Sequence, residues 1–320
     1  MPSAAKADDG ALDRRTQRAA KKDTHERGTD TAAVVVHYNT EALTTACLSS
    51  LAAQSHPVHA ILVDNGSTDG SGVRLDGALG SRGTLVRLAS PVGYATAVNR
   101  GLELAIEQGC SYALLVGSDT ELKPDVVERL RAALVRDPSL AAVGPVQVYA
   151  TAPERVFSAG GELDRWSWAT RHIGHAESLP HVQQMGLHCP AWLDFALVLL
   201  TLRAVSDVGP LDETYGFYWE DVDWSLRATR AGYRLAVDTT AVVRHWVGGT
   251  AGTRHEWATY QKWRSRLHCA RKMRGRLFQL RLLIGECATM AAAMLRGPTD
   301  TDRIRWQATR DSVCGRRRDF

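Results

Sequence analysis

None of the six cysteines, Cys47, Cys110, Cys189, Cys269, Cys287 and Cys314, is spaced as CxxC, and they lie too far apart in the chain for a zinc module. Such scattered thiols point to a reduced, cytosolic setting. There is no G-x-x-x-x-G-K followed by Ser or Thr, which removes ATP hydrolysis on a P-loop. Gly70 and Gly72 do not complete G-x-G-x-x-G, so a dinucleotide-binding dehydrogenase loses its fingerprint. His255-Glu256 lacks the second histidine of a zinc protease, Thr259 standing in its place. Asn65 to Asp76 imitates a calcium loop through Ser67, Asp69, Gly70 and Asp76, but the β-branched run before it is a strand where an EF-hand needs a helix. The N-terminus is mixed in charge and has no apolar signal-peptide segment. Leu277 to Leu295 is apolar but broken by Arg281 and Glu286, which argues against a membrane span. Its basic approach, Arg271, Lys272, Arg274 and Arg276, permits a membrane-surface helix, although a helix packed on the domain is the plainer expectation. No internal repeat is found.

What is present is an ordinary globular composition over 320 residues, 44% hydrophobic and 23% charged. The net charge of +4 is uneven. Residues 1–29 carry seven Lys/Arg against five Asp/Glu, and residues 260–320 carry fifteen against five, so the middle of the chain is acidic. An acidic middle excludes nucleic acid across the main domain and fits a site for a divalent cation.

Residues 1–30 show no periodicity and read as a disordered leader. Ala33 to His37, Ala60 to Val63, Thr84 to Leu88, Tyr112 to Val116 and Ala141 to Val148 are short apolar runs. Between them lie helical patterns: one capped by Asn39 or Thr40 with Leu43, Cys47, Leu48 and Leu51 inside, one from Ala95 to Glu107, and one from Pro124, as N1 proline, to Val135. This alternation predicts βαβ units and a mostly parallel sheet flanked by helices. In such sheets ligands collect beyond the carboxyl ends of the strands, where Tyr38 to Thr40, Asp64 to Asp69 and Ser118 to Glu121 fall. Residues 151–189 are less regular. Trp192 to Leu202 reads as a buried strand broken by Asp194, and Tyr233 to Val237 and Val242 to His245 as two short strands. The organisation expected is a leader (1–30), a nucleotide-binding half (31–150), an acceptor and catalytic half (151–250) and a basic helical region (251–320).

The densest chemistry is Tyr215 to Arg227, YGFYWEDVDWSLR. Glu220, Asp221 and Asp223 gather at a predicted helix N-terminus, Glu220 and Asp223 sharing one side, with Trp224, Leu226 and Ala228 continuing an apolar face. Acids in a first turn complement the helix dipole. The neighbouring aromatics would also desolvate them and raise their pKa, which suits a general base.

VVVHYNT, ILVDNGSTDGS, VGYATAVNRG, LLVGSDTEL, YWEDVDWSLRATRAGYRL and VVRHWVGG, in this order and at these separations, resemble the family 2 glycosyltransferases of GT-A fold, and most the bacterial rhamnosyltransferase-like branch. The resemblance covers residues 32–250. It implies a nucleotide-diphospho-sugar transferase fold with a C-terminal helical extension, and a chain that moves one sugar from a UDP- or TDP-sugar to a hydroxyl acceptor with inversion. It implies that Tyr38 stacks on the base, with Asn39 beside it, and that Asp64 accepts from the base edge. An acceptor-only carboxylate selects the imide N–H of uracil or thymine, which adenine lacks. Asp64 could equally cap the turn before Asn65-Gly66. Gly93 would admit the nucleotide to the backbone, with Asn99 and Arg100 near the phosphates, unless Arg100 is a solvated helix residue. Ser118 and Asp119 stand at the DxD-type motif, where Asp119 would ligate Mn²⁺ or Mg²⁺. Gly117-Ser118-Asp119 has one acid where some relatives have two or three. His245 could complete the metal set or be structural. Asp221, beside Glu220, is implied as catalytic base, and Asp194 as an acid bordering donor sugar and acceptor. Leu197-Val198-Leu199 replaces the usual Ser-Gly-Ala, which leaves the acceptor's identity open. Trp219 could stack on a sugar or belong to the core.

Together the scattered thiols, the acidic middle and the basic C-terminus lead us to expect a cytoplasmic protein without nucleic acid, peripheral at the inner membrane face where that C-terminus meets lipid, with a glycan, lipid-linked sugar or natural product as acceptor. A catalytically silent nucleotide-sugar-binding protein is the alternative from another class, motivated by the thin metal motif. A nucleotidyltransferase is disfavoured because His37-Tyr38-Asn39-Thr40 is not a basic Gly-rich loop.

Overall fold

The computed structural model describes residues 29–80, 83–247 and 255–314, with His255 as backbone only. The leader expected over residues 1–30 lies outside that range except for Thr29 and Asp30, and Asp30 is held by Arg131 at 2.6 Å. Gly248 and Gly249, the end of the last motif, also lie outside it.

The first half builds as the alternation predicts. Strands β1 (Thr31–His37), β2 (His59–Asp64), β3 (Gly83–Arg87) and β4 (Tyr112–Gly117) are separated by helices α1 (Glu41–Ala52), α2 (Ser71–Leu79) and α3 (Tyr94–Glu107). They pair in parallel as β3-β2-β1-β4. β1 is apolar on both faces because helices cover both. Val34 joins the core under α3, and Val35 joins Cys47 and Leu51 of α1 on the opposite face. His37, fully buried, locks this corner through Thr44 Oγ1 and Ser71 Oγ, each at 2.7 Å. Thr40 precedes α1 but makes no side-chain cap, since its hydroxyl instead meets Ser118 Oγ at 3.3 Å.

After a short β5 (Thr120–Leu122), helix α4 (Val126–Arg136) takes Asp125 as its N-cap. Pro124 therefore lies before the helix and not at N1, its carbonyl accepting the Ser55 N–H. Strand β6 (Leu140–Tyr149) continues the sheet, with β7 (Ala152–Ser158) on it and β8 (Gly161–Leu163) and β9 (Thr170–His172) forming a separate ribbon. A five-residue α5 (Leu179–Gln183) and β10 (Leu187–His188) follow. The strand expected over Trp192 to Leu202 is shorter, β11 (Leu197–Thr201). Asp194 Oδ1 accepts the Ala196 N–H at 2.8 Å, and that Asx-type turn delays the extended segment. β11 enters antiparallel between β4 and β6 and makes the sheet mixed.

Helices α6 (Leu202–Val208) and α7 (Glu220–Arg230) lead to β12 (Arg234–His245). The two short strands expected there are one, parallel to β6, with a register shift between Asp238 and Val242 where the intervening polar residues loop out. Helices α8 (His255–Arg274), α9 (Arg276–Arg296) and α10 (Asp300–Cys314) close the chain. Gly275, at φ 87°, makes the turn between α8 and α9 that a Cβ would disfavour. A third core, Trp168, Trp192, Tyr215, Trp219 and Val222 with Leu267, Met273 and Leu282, fastens α8 and α9 to α7. Otherwise α9 buries only Met290 and Ala293, so its packing on the domain is slighter than its sequence implies.

Candidate active site

The strand ends and the N-terminus of α7 bring four carboxylates together. Burial, and then the charges of Glu220, Asp194, Asp221 and Asp119, push the Tyr94 hydroxyl well above its ordinary pKa, so one tyrosine feels the field of all four acids. Its hydroxyl donates to the Phe195 carbonyl at 3.2 Å. Tyr218 is pushed up to about 12 by burial and by Glu220, Asp194 and Asp119.

Of the first two acids of α7, Glu220 is buried and Asp221 half-buried, still open to solvent. Burial is the main cause that raises the proton affinity of both Glu220 and Asp221, and the Asp194 charge adds to it at each. The Glu220 charge also acts on Asp221. Asp221 Oδ1 accepts the Val222 N–H at 2.7 Å, whereas Glu220 Oε2 is buried with no hydrogen-bond partner among the described residues. The residues that aim them, Tyr218 at φ 64° and Trp219 at φ 76°, both occupy the left-handed region. Two consecutive non-glycine residues there cost on the order of 1–3 kcal/mol each and persist because the aromatic core holds them. Trp219 is buried in that core, as the second of its two readings has it.

Asp223 takes a different course. Two residues after Asp221 on a helix, it points to the opposite face, into a buried network with Tyr215 Oη (3.0 Å), Arg227 Nε (2.7 Å) and Lys272 Nζ (2.8 Å).

Across the site, Asp119 Oδ1 lies 3.6 Å from His245 Nε2. His245 Nδ1 sits 3.1 Å from Gln147 Oε1, which, with the proton on Nδ1, leaves Nε2 free to face the carboxylate. One carboxylate oxygen and one oriented imidazole nitrogen fit a divalent cation whose other positions are filled by phosphate oxygens. Among the described residues no group of three such side chains is assembled without the substrate.

Tyr38 is half-buried beyond β1, and Asn39, at φ 51°, ties its turn to the next one through Ser67 Oγ (3.1 Å) and the Thr68 N–H (3.0 Å). Asp64 makes the turn bond of its alternative reading, accepting the Ser67 N–H at 3.0 Å. Its other oxygen lies where a Cβ on Gly72 would fall, 1.9 Å away.

Three of the expected nucleotide residues have protein partners. The Asn99 amide bonds the Leu211 backbone (2.9 and 3.0 Å) and Glu213 (2.9 Å). Arg100 pairs with Glu103 at 3.1 Å, as the second of its two readings has it. Gly93 lets the backbone of Gly216 approach closely, since a Cβ there would stand 2.8 Å from the Gly216 carbonyl, which accepts the Tyr94 N–H at 2.7 Å. The Gly93 to Asn99 stretch thus clamps residues 211–216, the segment that delivers Glu220 and Asp221. Gly93→Ala must push those backbones apart, and because misplacement by about 1 Å can cost on the order of 10²-fold, kcat is expected to fall 10- to 100-fold with donor affinity nearly kept. Steady-state kinetics beside a donor-binding isotherm check this.

Sequence reasoning missed His172 and Lys262. His172 Nδ1 is 3.9 Å from Asp194, and burial lowers its pKa against the pull of that carboxylate. Lys262 of α8 lies 4.7 Å over the Tyr218 ring. Both sit in segments without periodic signal, and only the fold brings them here. Tyr94 was legible, one residue from Gly93 in a quoted motif.

Residues 32–194 match the family model described as glycosyl transferase family 2. Over 225 residues the chain is 31% identical to an N-acetylglucosaminyl-diphospho-decaprenol L-rhamnosyltransferase of Mycobacterium tuberculosis, which covers 62% of this chain and 70% of the relative. Among solved structures, the mannosyltransferase PcManGT from Pyrobaculum calidifontis, in complex with GDP-Man and Mn²⁺, aligns with a TM-score of 0.56 at 15% identity, over 93% of this chain and 86% of that one. GalNAc-T7 with UDP, GalNAc and Mn²⁺ aligns with the same TM-score at 14% identity, over 67% of this chain, which spans 42% of that protein's length. Identities this low speak for the fold. On the family match and the 31% identity together, the chain belongs to glycosyl transferase family 2, and its mixed α/β sheet is the GT-A fold of that family.

Proposed function

We propose that this glycosyltransferase moves a single sugar, hexose or deoxyhexose, from a UDP- or TDP-sugar to a hydroxyl acceptor with inversion at the anomeric carbon. The observation that carries the proposal is the convergence of four carboxylates around Tyr94, with Asp119 against His245 and Asp221 against Glu220. Asp221 takes the proton from the acceptor hydroxyl as that oxygen attacks the anomeric carbon from the side opposite the leaving diphosphate. Glu220, unpartnered at one oxygen, raises the basicity of Asp221 through its charge and offers an acceptor to a sugar hydroxyl. Asp194 borders both substrates. Asp119 and His245 would hold a divalent cation, Mn²⁺ or Mg²⁺, which would neutralise charge on the diphosphate. Tyr38, Asn39 and Asp64 receive the nucleotide, and Ser118, hydrogen-bonded to Thr40, shapes the floor beneath it.

The relative's name points to a polyprenyl-diphosphate-linked sugar as acceptor class. In this reading the protein is cytoplasmic and meets that acceptor peripherally at the inner membrane face. Thermal shift against UDP-, TDP- and GDP-sugars, with and without Mn²⁺, followed by nucleotide release, tests the reading. Stabilisation by a uracil or thymine donor that grows with Mn²⁺, and diphosphate release lost in Asp221→Asn, are expected. Donor binding with no turnover on any acceptor would leave only the nucleotide-sugar-binding protein.

A further inference from the structure

Helix α9 is 21 residues long, and its most apolar stretch, of mean hydropathy 1.3, is 11% buried. Its only carboxylate, Glu286, faces inward, paired with Arg266 at 3.3 Å and Arg305 at 3.0 Å. The outward face is therefore free of acid. It carries Leu277 (85% exposed), Leu280, Ile284, Met294 and Leu295 (92% exposed). At about 100° per residue these fall within about 120° of one another, on the side away from Leu282 and Ala293, with Met290 at the border. Arg276 and Arg281 flank one end of the stripe and Arg296 the other. Trp166, 61% exposed, joins the patch, its carbonyl accepting from the Arg281 guanidinium.

We propose that α9 and Trp166 form a docking face for the surface of an anionic bilayer, with the apolar stripe in the acyl boundary and the arginines among the headgroups. An amphipathic helix with an apolar face, basic flanks and an interfacial tryptophan has the composition of one that lies in the membrane plane. Charge selects this occupant. A second copy docked by two-fold symmetry on the same stripe would set Arg276, Arg281 and Arg296 against their like, whereas anionic headgroups complement them. The helix is excluded from crossing by its inward face, because Glu286 would have to leave Arg266 and Arg305, and Leu282 the third core. That core also contains Trp219, so the membrane plane lies behind the residues that aim Glu220 and Asp221. This deepens the proposed acceptor class and rests on it only for what is delivered, since the docking face stands on its own residues.

Flotation of the full chain with phosphatidylcholine vesicles containing about 30% phosphatidylglycerol tests the docking. Each basic residue near an anionic surface strengthens binding about fivefold. The chain is expected to float with these vesicles at least tenfold better than with phosphatidylcholine alone. Leu277→Glu/Ile284→Glu should abolish flotation, and Arg276→Glu/Arg281→Glu should erase the preference for anionic lipid. Met294→Glu/Leu295→Glu repeats the first test at the most exposed end, where folding is least at stake. Donor hydrolysis without vesicles should be unchanged in all three, so that loss of hydrolysis counts against the reaction and loss of flotation against the docking. Equal flotation of wild type and Glu variants, equal binding to neutral vesicles, or a vesicle-free dimer dissolved by Ile284→Glu would overturn the proposal.

Discussion

Asp221→Asn is expected to lower kcat by about 10² to 10⁴ while the donor Kd stays within about twofold. The substitution keeps size and removes the only function asked of the side chain, taking a proton. The same burial that makes Asp221 a strong base sets its pH dependence. Desolvation, then the Glu220 and Asp194 charges, raise its folded pKa, and Glu220 is raised for the same main reason, so the two titrate as a pair. Turnover should therefore rise with pH along an acid limb well above the ordinary carboxylate range of about 4. Glu220→Gln removes one charge and should move that limb to lower pH. Stability runs the other way. Acids whose folded pKa exceeds the unfolded value leave the folded state holding more protons, so stability falls as pH rises from about 4 through the folded value. Asp221→Asn and Glu220→Gln should thus melt higher than wild type at pH 8, with the gap closing toward pH 4. A rate profile and a melting series over pH 4 to 9 check both signs.

Asp223→Ala, two residues along the same helix, should unfold the protein more than it slows the reaction. Asp223 is fully buried and is bound by Tyr215, Arg227 and Lys272 together. Removing one partner of a buried ion network costs about 3–5 kcal/mol, because charges remain without compensation. Arg227 keeps the Val208 and Pro210 carbonyls and Lys272 keeps Asp212, which places the loss at the lower end of that range. At about 2–4 °C per kcal/mol the midpoint should fall by roughly 6–12 °C. Asp223→Asn, still able to accept from Tyr215, should fall less. Denaturant titration gives the stability, and kcat per folded molecule should change far less than in Asp221→Asn. Equal catalytic losses in the two variants would merge roles that the geometry separates.

The acid cluster was legible because its three carboxylates stand beside five aromatics within a short stretch, and desolvation follows from composition. Which acid would do which work was not legible in the same way. Helical spacing sets Asp221 and Asp223 on opposite faces, but only the packing of α8 reveals that Lys272 waits on one face, and only the turn before β11 sets Asp194 toward the other. Gly93 and Asn99 were read toward the nucleotide because they stand in a motif that resembles a nucleotide loop. The structure spends Gly93 and Asn99 on residues more than a hundred positions away, a partnership that no local pattern records. Asp194 shows the same limit: its acid was evident, while the turn that shortens β11 depends on a hydrogen bond to Ala196.

Continuous apolar runs and helices of period three to four settled the parallel half of this protein from its residues alone, since both faces of each strand must find cover. The antiparallel entry of β11, the 3.6 Å separation of Asp119 and His245 and the bonds of Asn99 to Leu211 and Glu213 came from the tertiary structure. Local chemistry dictates what a segment must bury. Which partner it buries against is decided by chain closure over long separations, where many pairings satisfy the same pattern and only the packed whole selects one.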